Sequence, residues 1–321
     1  MKIFITGGTG FLGKRVVKRL LADNNELYVL ARNLDKVGIE KNDNVKYVKG
    51  TLENMNEWEH NLKGMDVVIH MAAPVVFWGE WSMYQELIID ATENILKFSE
   101  QNGVKKFIYI SSESVLQDKK DLIRIDESTP YPKEPNSYYG KSKMIAEKKI
   151  LQKDLNIDRI IIRPTFIWGP GVPTMKTMIN KVKAGQFQWI DHGNITIEMV
   201  HVDNVAEAIA LSCYKGKDKD IFFVTDDSPK TAKVFFSDLF STQGVEVSDK
   251  SIPGFVARPF ANIVEAIWKL LKLKSDPPLT RFDLAFIGMS RSYRIDKIKN
   301  ELGYRPVVSY EDGLEQMKQS W

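Results

Sequence analysis

Apolar runs and helix-spaced apolar positions take turns along the first half of the chain. "KIFIT" (2–6) is a short apolar run ending at glycine, which predicts a buried strand. Residues 11–22 place Phe11, Leu12, Val16, Leu20 and Leu21 at helical spacing. Further strands are expected at 26–32, 45–50, 66–73, 105–112 and 158–164, the last ended by Pro164. Helices are expected over 81–101, stopped by Asn102-Gly103, and over 137–152. Alternating strands and helices predict an α/β fold, a doubly wound parallel sheet with helices on both faces. After Pro164 the pattern changes: "IWGPGVP" (167–173) reads as a loop, and shorter mixed elements follow, with a helix after "VHVD" (200–203). The expected organisation is a nucleotide-binding domain over 1–170, to which later segments such as 196–225 return. A smaller, mixed C-terminal substrate lobe over 171–321 completes it.

The join between the first strand and the first helix carries two overlapping glycine patterns. Gly8-Thr9-Gly10-Phe11-Leu12-Gly13 fits G-x-G-x-x-G, and starting from Gly7 the stretch fits the wider G-x-x-G-x-x-G. Such a loop aims backbone N–H groups and a helix N-terminus at a diphosphate, as in a Rossmann dinucleotide site. Glycine is expected there because the phosphate approaches where a Cβ would stand. The end of the second strand selects the nucleotide. An acid there would bind a ribose 2′-hydroxyl, whereas Arg accommodates a 2′-phosphate. Ala31-Arg32 occupies the place, so NADP is expected over NAD. The competing reading of Arg32 is a solvated surface cation.

Tyr139-Gly140-Lys141-Ser142-Lys143 is Y-x-x-x-K inside an expected helix, which puts Tyr139 and Lys143 on one face. A phenol near pKa ~10 needs about 4 kcal/mol of preferential phenolate stabilisation to titrate near 7. A neighbouring ammonium and a cationic nicotinamide ring can supply much of it. "YISSESV" ends the fifth strand with hydroxyls. Ser112, and second to it Ser111, could hydrogen-bond a substrate oxygen; the plainer role is capping the loop.

Composition narrows the remaining classes. Lys+Arg number 45 against 42 Asp+Glu, too small a surplus to give the footprint of a nucleic-acid partner. One cysteine, Cys213, excludes an internal disulfide and fits a reducing compartment. His60, His70, His192 and His201 lack metal-ligand spacing, so no metal is expected. With a strand-like start and no stretch of about eighteen apolar residues, a cytoplasmic protein without signal peptide or membrane span is expected.

These residues resemble the extended short-chain dehydrogenase/reductases, a group that includes nucleotide-sugar epimerases and dehydratases. The likeness runs through Thr6-Gly7-Gly8-Thr9-Gly10-Phe11-Leu12-Gly13, "HMAA" (70–73), Ser112, Tyr139 with Lys143, "RPTFIWGPG" (163–171), "VHVDNVAEA" (200–208) and "ELGYRPVVSYEDGL" (301–314). It is strongest to the branch of 3β-hydroxysteroid dehydrogenases and sterol-4-carboxylate 3-dehydrogenases, through residues 277–306. The resemblance implies a catalytic set of Ser112, Tyr139 and Lys143. It implies cofactor contacts from Thr6, Gly7, Gly8, Thr9, Gly10, Phe11, Leu12, Gly13, Arg32, Thr51, Leu52, Met71, Ala72, Ala73, Tyr139, Lys143, Pro164 and Ile167. It also implies pairing into a homodimer through two helices of each copy. Two departures stand out. The family's Gly-Asp-Leu is Gly50-Thr51-Leu52 here, and its Asn-Val-x-Gly-Thr is Ile88-Ile89-Asp90-Ala91-Thr92.

Aromatic residues gather near the expected cleft: Phe77, Trp78, Trp81 and Trp168. With Ser111, the residues Phe77, Trp78 and Trp168 are the substrate candidates, and apolar walls suit a hydrophobic ligand. Lobe-to-lobe packing is the other use for such side chains. Residues 255–274 form a basic amphipathic segment that could lie on a membrane surface, cap a substrate channel or pack on the small lobe. The expected function is an NADP-dependent oxidoreductase interconverting a secondary alcohol and a ketone on a steroid-like or β-keto-acid-like substrate. The alternatives are a nucleotide-sugar epimerase or dehydratase, and a non-catalytic NADP-binding sensor or scaffold.

Overall fold

β1 (Lys2–Thr6) lies inside a seven-stranded sheet in the computed structural model of the chain. The structure describes residues 1–34, 42–75, 78–152, 154–271, 273, 277, 280, 284, 286 and 288–320, the side chains of Arg258 and Lys269 excepted. On one side of β1 stand β2 (Glu26–Ala31) and the edge strand β3 (Val45–Lys49). On the other stand, in order, β4 (Val67–His70), β5 (Lys106–Ile110), the strand Asp158–Pro164 and the strand Asp220–Val224. Every pairing in this sheet is parallel.

The strands are apolar at consecutive positions because both faces are covered. Ile3, Ile5, Val67, Ile69, Ile108, Ile110, Ile160 and Ile162 enter one core with Val16, Val17 and Leu20 of α1 (Phe11–Leu21). Phe4, Val68, Phe107, Tyr109 and Ile161 enter a second core on the other face. That second core takes Ile95 and Leu96 of the helix Ala91–Gln101, and Ala146 and Ile150 of the helix Tyr138–Gln152. Adjacent residues alternate between the two cores, as a pleated strand requires.

The expected helix over 81–101 forms in three parts. They are α2 (Trp81–Tyr84), a π-helical segment (Gln85–Asp90) and α3 (Ala91–Gln101), ending where Gly103 takes φ 74°. α4 (Tyr138–Gln152) forms as expected. The stretch 167–173 departs from its expected loop. β6 (Leu122–Ile125) and β7 (Asp158–Pro164) are followed by a short strand β8 (Phe166–Trp168), which pairs in parallel with Met199–His201. The expected loop therefore begins only at Gly169.

Beyond β8, α5 (Met175–Lys183), α6 (Val202–Lys215) and α7 (Ala232–Ser241) follow in order. α6 packs on the α1 face of the sheet, its Val205, Ala206 and Ile209 sharing that core. The C-terminal half then builds its own core from Trp168, Trp189, Ile197, Phe235, Phe236, Leu239 and Phe240. β15 (Arg291–Tyr293), the last strand, pairs with β6. Of the expected site residues, Phe77 lies outside the described residues.

Candidate active site

The carboxyl ends of β1, β4 and β5 converge on one place. In an open parallel sheet this is where the connections part and leave a crevice. Three groups of side chains and backbone meet there.

The first is the glycine loop. Gly7 takes φ 77°, and a Cβ on it would sit 2.8 Å from the Ala72 nitrogen. A Cβ on Gly8 would meet Val29 Cγ1 at 2.7 Å, and one on Gly13 would meet the Gly7 carbonyl oxygen at 2.1 Å. These three glycines are required by the chain's own packing, before any ligand is considered. Among the described residues, the Cβ of Gly10 would have only the Gly7 oxygen, at 3.3 Å, as a neighbour. Gly10 caps α1, whose first turn receives no side-chain cap and contains no acid. The loop thus offers a helix N-terminus with an open approach, which fits a dinucleotide diphosphate. Arg32 is exposed just past the carboxyl end of β2. Thr51 and Leu52 are half-buried past β3, and the Thr51 carbonyl accepts from Trp58 Nε1 at 2.7 Å.

The second group ties β1 to β4. Ala72 N donates to Thr6 Oγ1 at 3.3 Å, Thr6 Oγ1 lies 2.7 Å from His70 Nδ1, and His70 Nε2 lies 3.1 Å from Thr92 Oγ1. One assignment satisfies all three: Thr6 donates to Nδ1 and Nε2–H donates to Thr92. Burial, with the nearby Lys143 charge, pushes His70 down to about 3, so the ring is neutral. This bridge holds Met71, Ala72 and Ala73 against the glycine loop, and Met71 N donates to the Thr6 carbonyl at 3.2 Å. "HMAA" marked the place in the sequence; the part played by His70 did not follow from it.

The third group is the Tyr–Lys helix and the hydroxyl turn. Tyr139 is 9% exposed and Lys143 2%. Lys143 Nζ donates to the Ile110 carbonyl at the end of β5, at 2.7 Å, and lies 6.0 Å from the centre of the Tyr139 ring. Burial pushes the Lys143 ammonium down to about 7, with the Glu147 carboxylate opposing. Burial pushes the Tyr139 phenol up. This reverses the direction the catalytic reading of Tyr139 asks for: the protein's own surroundings favour the protonated phenol.

Ser112 caps the short turn Glu113–Val115. Its Oγ accepts from Ser114 N at 3.2 Å and from Ser114 Oγ at 3.0 Å. With both acceptor positions engaged, its own O–H is the group left to donate outward. Ser111 is 3% exposed, and its Oγ has no hydrogen-bond partner among the described residues. Two contributors escaped the sequence reading. Ser114 orients Ser112. Gly140, an interior residue of Y-x-x-x-K, lets α4 press on that turn, since a Cβ there would lie 2.5 Å from the Ser114 carbonyl oxygen.

The wall beside Tyr139 is apolar. Tyr139 packs with Tyr84 and Ile88, and Ala73, Trp81 and Met83 border that cluster. Tyr138 meets Trp81 and Tyr84 edge-on at 5.4 and 6.1 Å. Trp78 is half-buried nearby in sequence. Trp168 is placed differently from its expected substrate contact. It is fully buried, its Nε1 donates to Asp226 at 2.8 Å, and its ring packs edge-on against His201 and Phe235. Packing and a buried hydrogen bond account for it, and Pro164 is likewise buried at the end of β7. Ile167, in β8, is half-buried.

Residues 4–253 match the model of the 3-beta hydroxysteroid dehydrogenase/isomerase family. A 4-hydroxy-2-methyl-3-oxo-4-farnesyl-3,4-dihydroquinoline-1-oxide ketoreductase of Stigmatella aurantiaca is 29% identical over 322 residues, covering 100% of this chain and 96% of the relative. A decarboxylating sterol-4-alpha-carboxylate 3-dehydrogenase of Dictyostelium discoideum is 31% identical over 327 residues, covering 98% and 99%. Among solved structures, a dTDP-glucose 4,6-dehydratase of Streptomyces venezuelae with NAD bound superposes with a TM-score of 0.79 at 22% identity, covering 100% and 96%, a likeness of fold. The chain belongs to the 3-beta hydroxysteroid dehydrogenase/isomerase family, and so to the oxidoreductases of the short-chain dehydrogenase/reductase type.

Proposed function

We propose that the protein interconverts a secondary alcohol and a ketone on a hydrophobic, steroid-like or β-keto-acid-like substrate, using NADP(H) in preference to NAD(H). The observation that carries this reading is the meeting of Tyr139, Lys143 and Ser112 beside the glycine loop, at the carboxyl ends of β1, β4 and β5.

Gly10 and the first turn of α1 would hold the diphosphate, Ala72 and Ala73 would border the ring end, and Arg32 would meet a 2′-phosphate. When bound there, the nicotinamide supplies or accepts the hydride. In the reducing direction Tyr139 gives its phenolic proton to the oxygen of the former ketone. Burial keeps that proton on the phenol until it is needed. Ser112 donates its O–H to the same oxygen and stabilises charge as it develops. Lys143, held by the Ile110 carbonyl, places its charge where it favours phenolate once the proton has left. The aromatic side chains of half-buried Trp81 and exposed Tyr138, packed edge to face, support a hydrophobic ligand. A product with a carboxylate β to a new ketone would lose carbon dioxide by its own chemistry.

The test is NADPH and NADH oxidation, followed by absorbance, against ketosteroids, β-keto acids, aldehydes and sugar nucleotides. Turnover of hydrophobic ketones with NADPH is expected. Tight binding of a uridine diphosphate sugar with no ketone turnover would overturn the reading in favour of an epimerase.

A further inference from the structure

Glu113 lies between Ser112 and Ser114 and is 4% exposed. The turn it opens, Glu113–Val115, is one short helical turn. Its backbone bonds are few and mostly long. Val115 N donates to the Ser112 carbonyl at 3.3 Å, Leu116 N to that of Glu113 at 3.1 Å and Gln117 N to that of Ser114 at 3.3 Å. So short a helix does little to hold itself in place. Its direction comes from what touches it on either side. Gly140 of α4 presses on one side, at the Ser114 carbonyl.

On the other side the Glu113 carboxylate is gripped by β15, 180 positions further along the chain at Tyr293. Its Oε2 accepts the Tyr293 O–H and lies 3.5 Å from Arg291 Nε. Arg291 and Tyr293 alternate with Ser292 along the strand, and both are buried. Each is fixed in turn. Tyr293 N donates to Glu198 Oε2 at 3.2 Å, and its ring centre lies 4.6 Å from that of Phe223. Arg291 Nη2 donates to the Phe286 carbonyl at 3.0 Å, with the guanidinium 5.1 Å from the centre of the Phe286 ring.

A carboxylate stripped of water is an expensive way to fill a buried space, and an apolar side chain of similar size packs a turn at least as well. What the carboxylate adds is direction, because a phenol and a guanidinium aim at it from one strand. Ser112 is bound to follow. It directly precedes Glu113, and its Oγ is oriented by Ser114, which directly follows Glu113. A shift of the turn by on the order of 1 Å would take the Ser112 hydroxyl off its line to a substrate oxygen.

We propose, on the reading of Ser112 as donor to the substrate oxygen, that Glu113 is a positioning residue. Locked by Tyr293 and Arg291, it fixes the turn from which Ser112 directs its O–H, so that the C-terminal strand β15 helps to set the geometry of the reaction.

The test compares the full chain with Tyr293→Phe, which deletes one hydroxyl and keeps the ring, and with Glu113→Gln and Glu113→Ala. Circular dichroism checks each fold. Hydrogen exchange read by mass spectrometry needs no turnover. The amides of residues 114–117 should exchange at least about tenfold faster in Tyr293→Phe and Glu113→Ala, with those of β1 and β5 unchanged. With NADPH and the best ketone, Tyr293→Phe should lower kcat about tenfold and leave the KM for NADPH unchanged. Added to Ser112→Ala, it should lower kcat no further. Glu113→Gln keeps an oxygen for the Tyr293 O–H and should lose less than Glu113→Ala. The proposal is overturned if exchange in the turn is unchanged in Tyr293→Phe, or if that variant loses as much rate beside Ser112→Ala as it does alone. Absence of ketone turnover by the wild-type chain overturns the functional reading instead, and exchange alone then decides whether Glu113 anchors the turn.

Discussion

Glu147 stands one helical turn beyond Lys143 and meets the Arg163 guanidinium at 2.6 Å, both side chains being buried. Tyr131 donates to the same carboxylate at 2.6 Å. The pair underpins the Tyr–Lys helix from inside the protein and adds a negative charge that favours the Lys143 ammonium. Glu147→Gln leaves Arg163 buried without its counter-ion, which should cost about 3–5 kcal/mol of stability in urea unfolding. In the same variant the Lys143 ammonium loses support and should titrate below about 7, moving the corresponding limb of a pH–rate profile to lower pH. An unmoved profile would uncouple Glu147 from Lys143.

Tyr139→Phe keeps the ring packed against Tyr84 and Ile88 and removes only the proton. Turnover should fall by about 10²–10⁴, with NADPH binding by fluorescence and the circular dichroism spectrum unchanged. Undiminished turnover would remove Tyr139 from the mechanism.

Gly140→Ala adds a Cβ where the Ser114 carbonyl stands at 2.5 Å. Helix α4 must then draw back from the Ser112 turn. A displacement on the order of 1 Å costs about 10²-fold in rate when it separates acting groups. A lowered kcat with little change in NADPH affinity is expected; equal loss of both would mean a general disruption instead.

His70 gives stability a pH dependence of known sign. The folded chain refuses a proton until about pH 3, whereas an unfolded chain binds it near ~6.5. Between these values the unfolded state holds more protons, so stability falls as pH falls, by about 1.4 kcal/mol per unit from this residue. Lys143 acts likewise between about 7 and its ordinary 10.5, where stability rises with pH. Urea midpoints across pH 4–6 should show the His70 slope, and His70→Asn should flatten it by one proton.

Arg32→Asp should reverse cofactor choice, lowering kcat/KM for NADPH by at least about tenfold while sparing or improving NADH. Equal losses with both cofactors would make Arg32 a surface cation without selective contact.

Much of the architecture is legible in the sequence because both faces of the sheet are buried. Ile3, Phe4 and Ile5 are all apolar, yet they feed opposite cores, and such runs mark strands without ambiguity of face. The glycine spacing and Tyr139–Lys143 are equally legible, being local. What depends on distant partners is not. Spacing singles out Gly13 but not Gly140, and only the packed structure says that Gly7 and Ser114 exclude a Cβ from them. Aromatic residues near a cleft carry no direction: Trp168 turns into the core, while Trp81 borders the Tyr139 cluster. The role of His70 needs Thr6 and Thr92, one on either side of it in the fold and 22 or more positions away in the chain.

Between β8 and β15 the remaining short strands β9 (Trp189–Ile190), β10 (Thr196–Ile197), β11 (Met199–His201), β12 (Asp220–Val224), β13 (Lys230–Thr231) and β14 (Ser251–Ile252) come in sequence, and one of them does not belong to the lobe around it. β12 crosses back to lie on β7, from Asp220 beside Ile160 to Val224 beside Pro164. Until residue 224 has left the ribosome, β7 is an uncovered sheet border offering its backbone to any extended peptide nearby. A fragment ending near residue 170 would keep that border permanently open, and would tend to aggregate rather than survive as a free-standing nucleotide-binding unit. The two halves are successive along the gene but interleaved in assembly, so the second half must be translated before the first is finished.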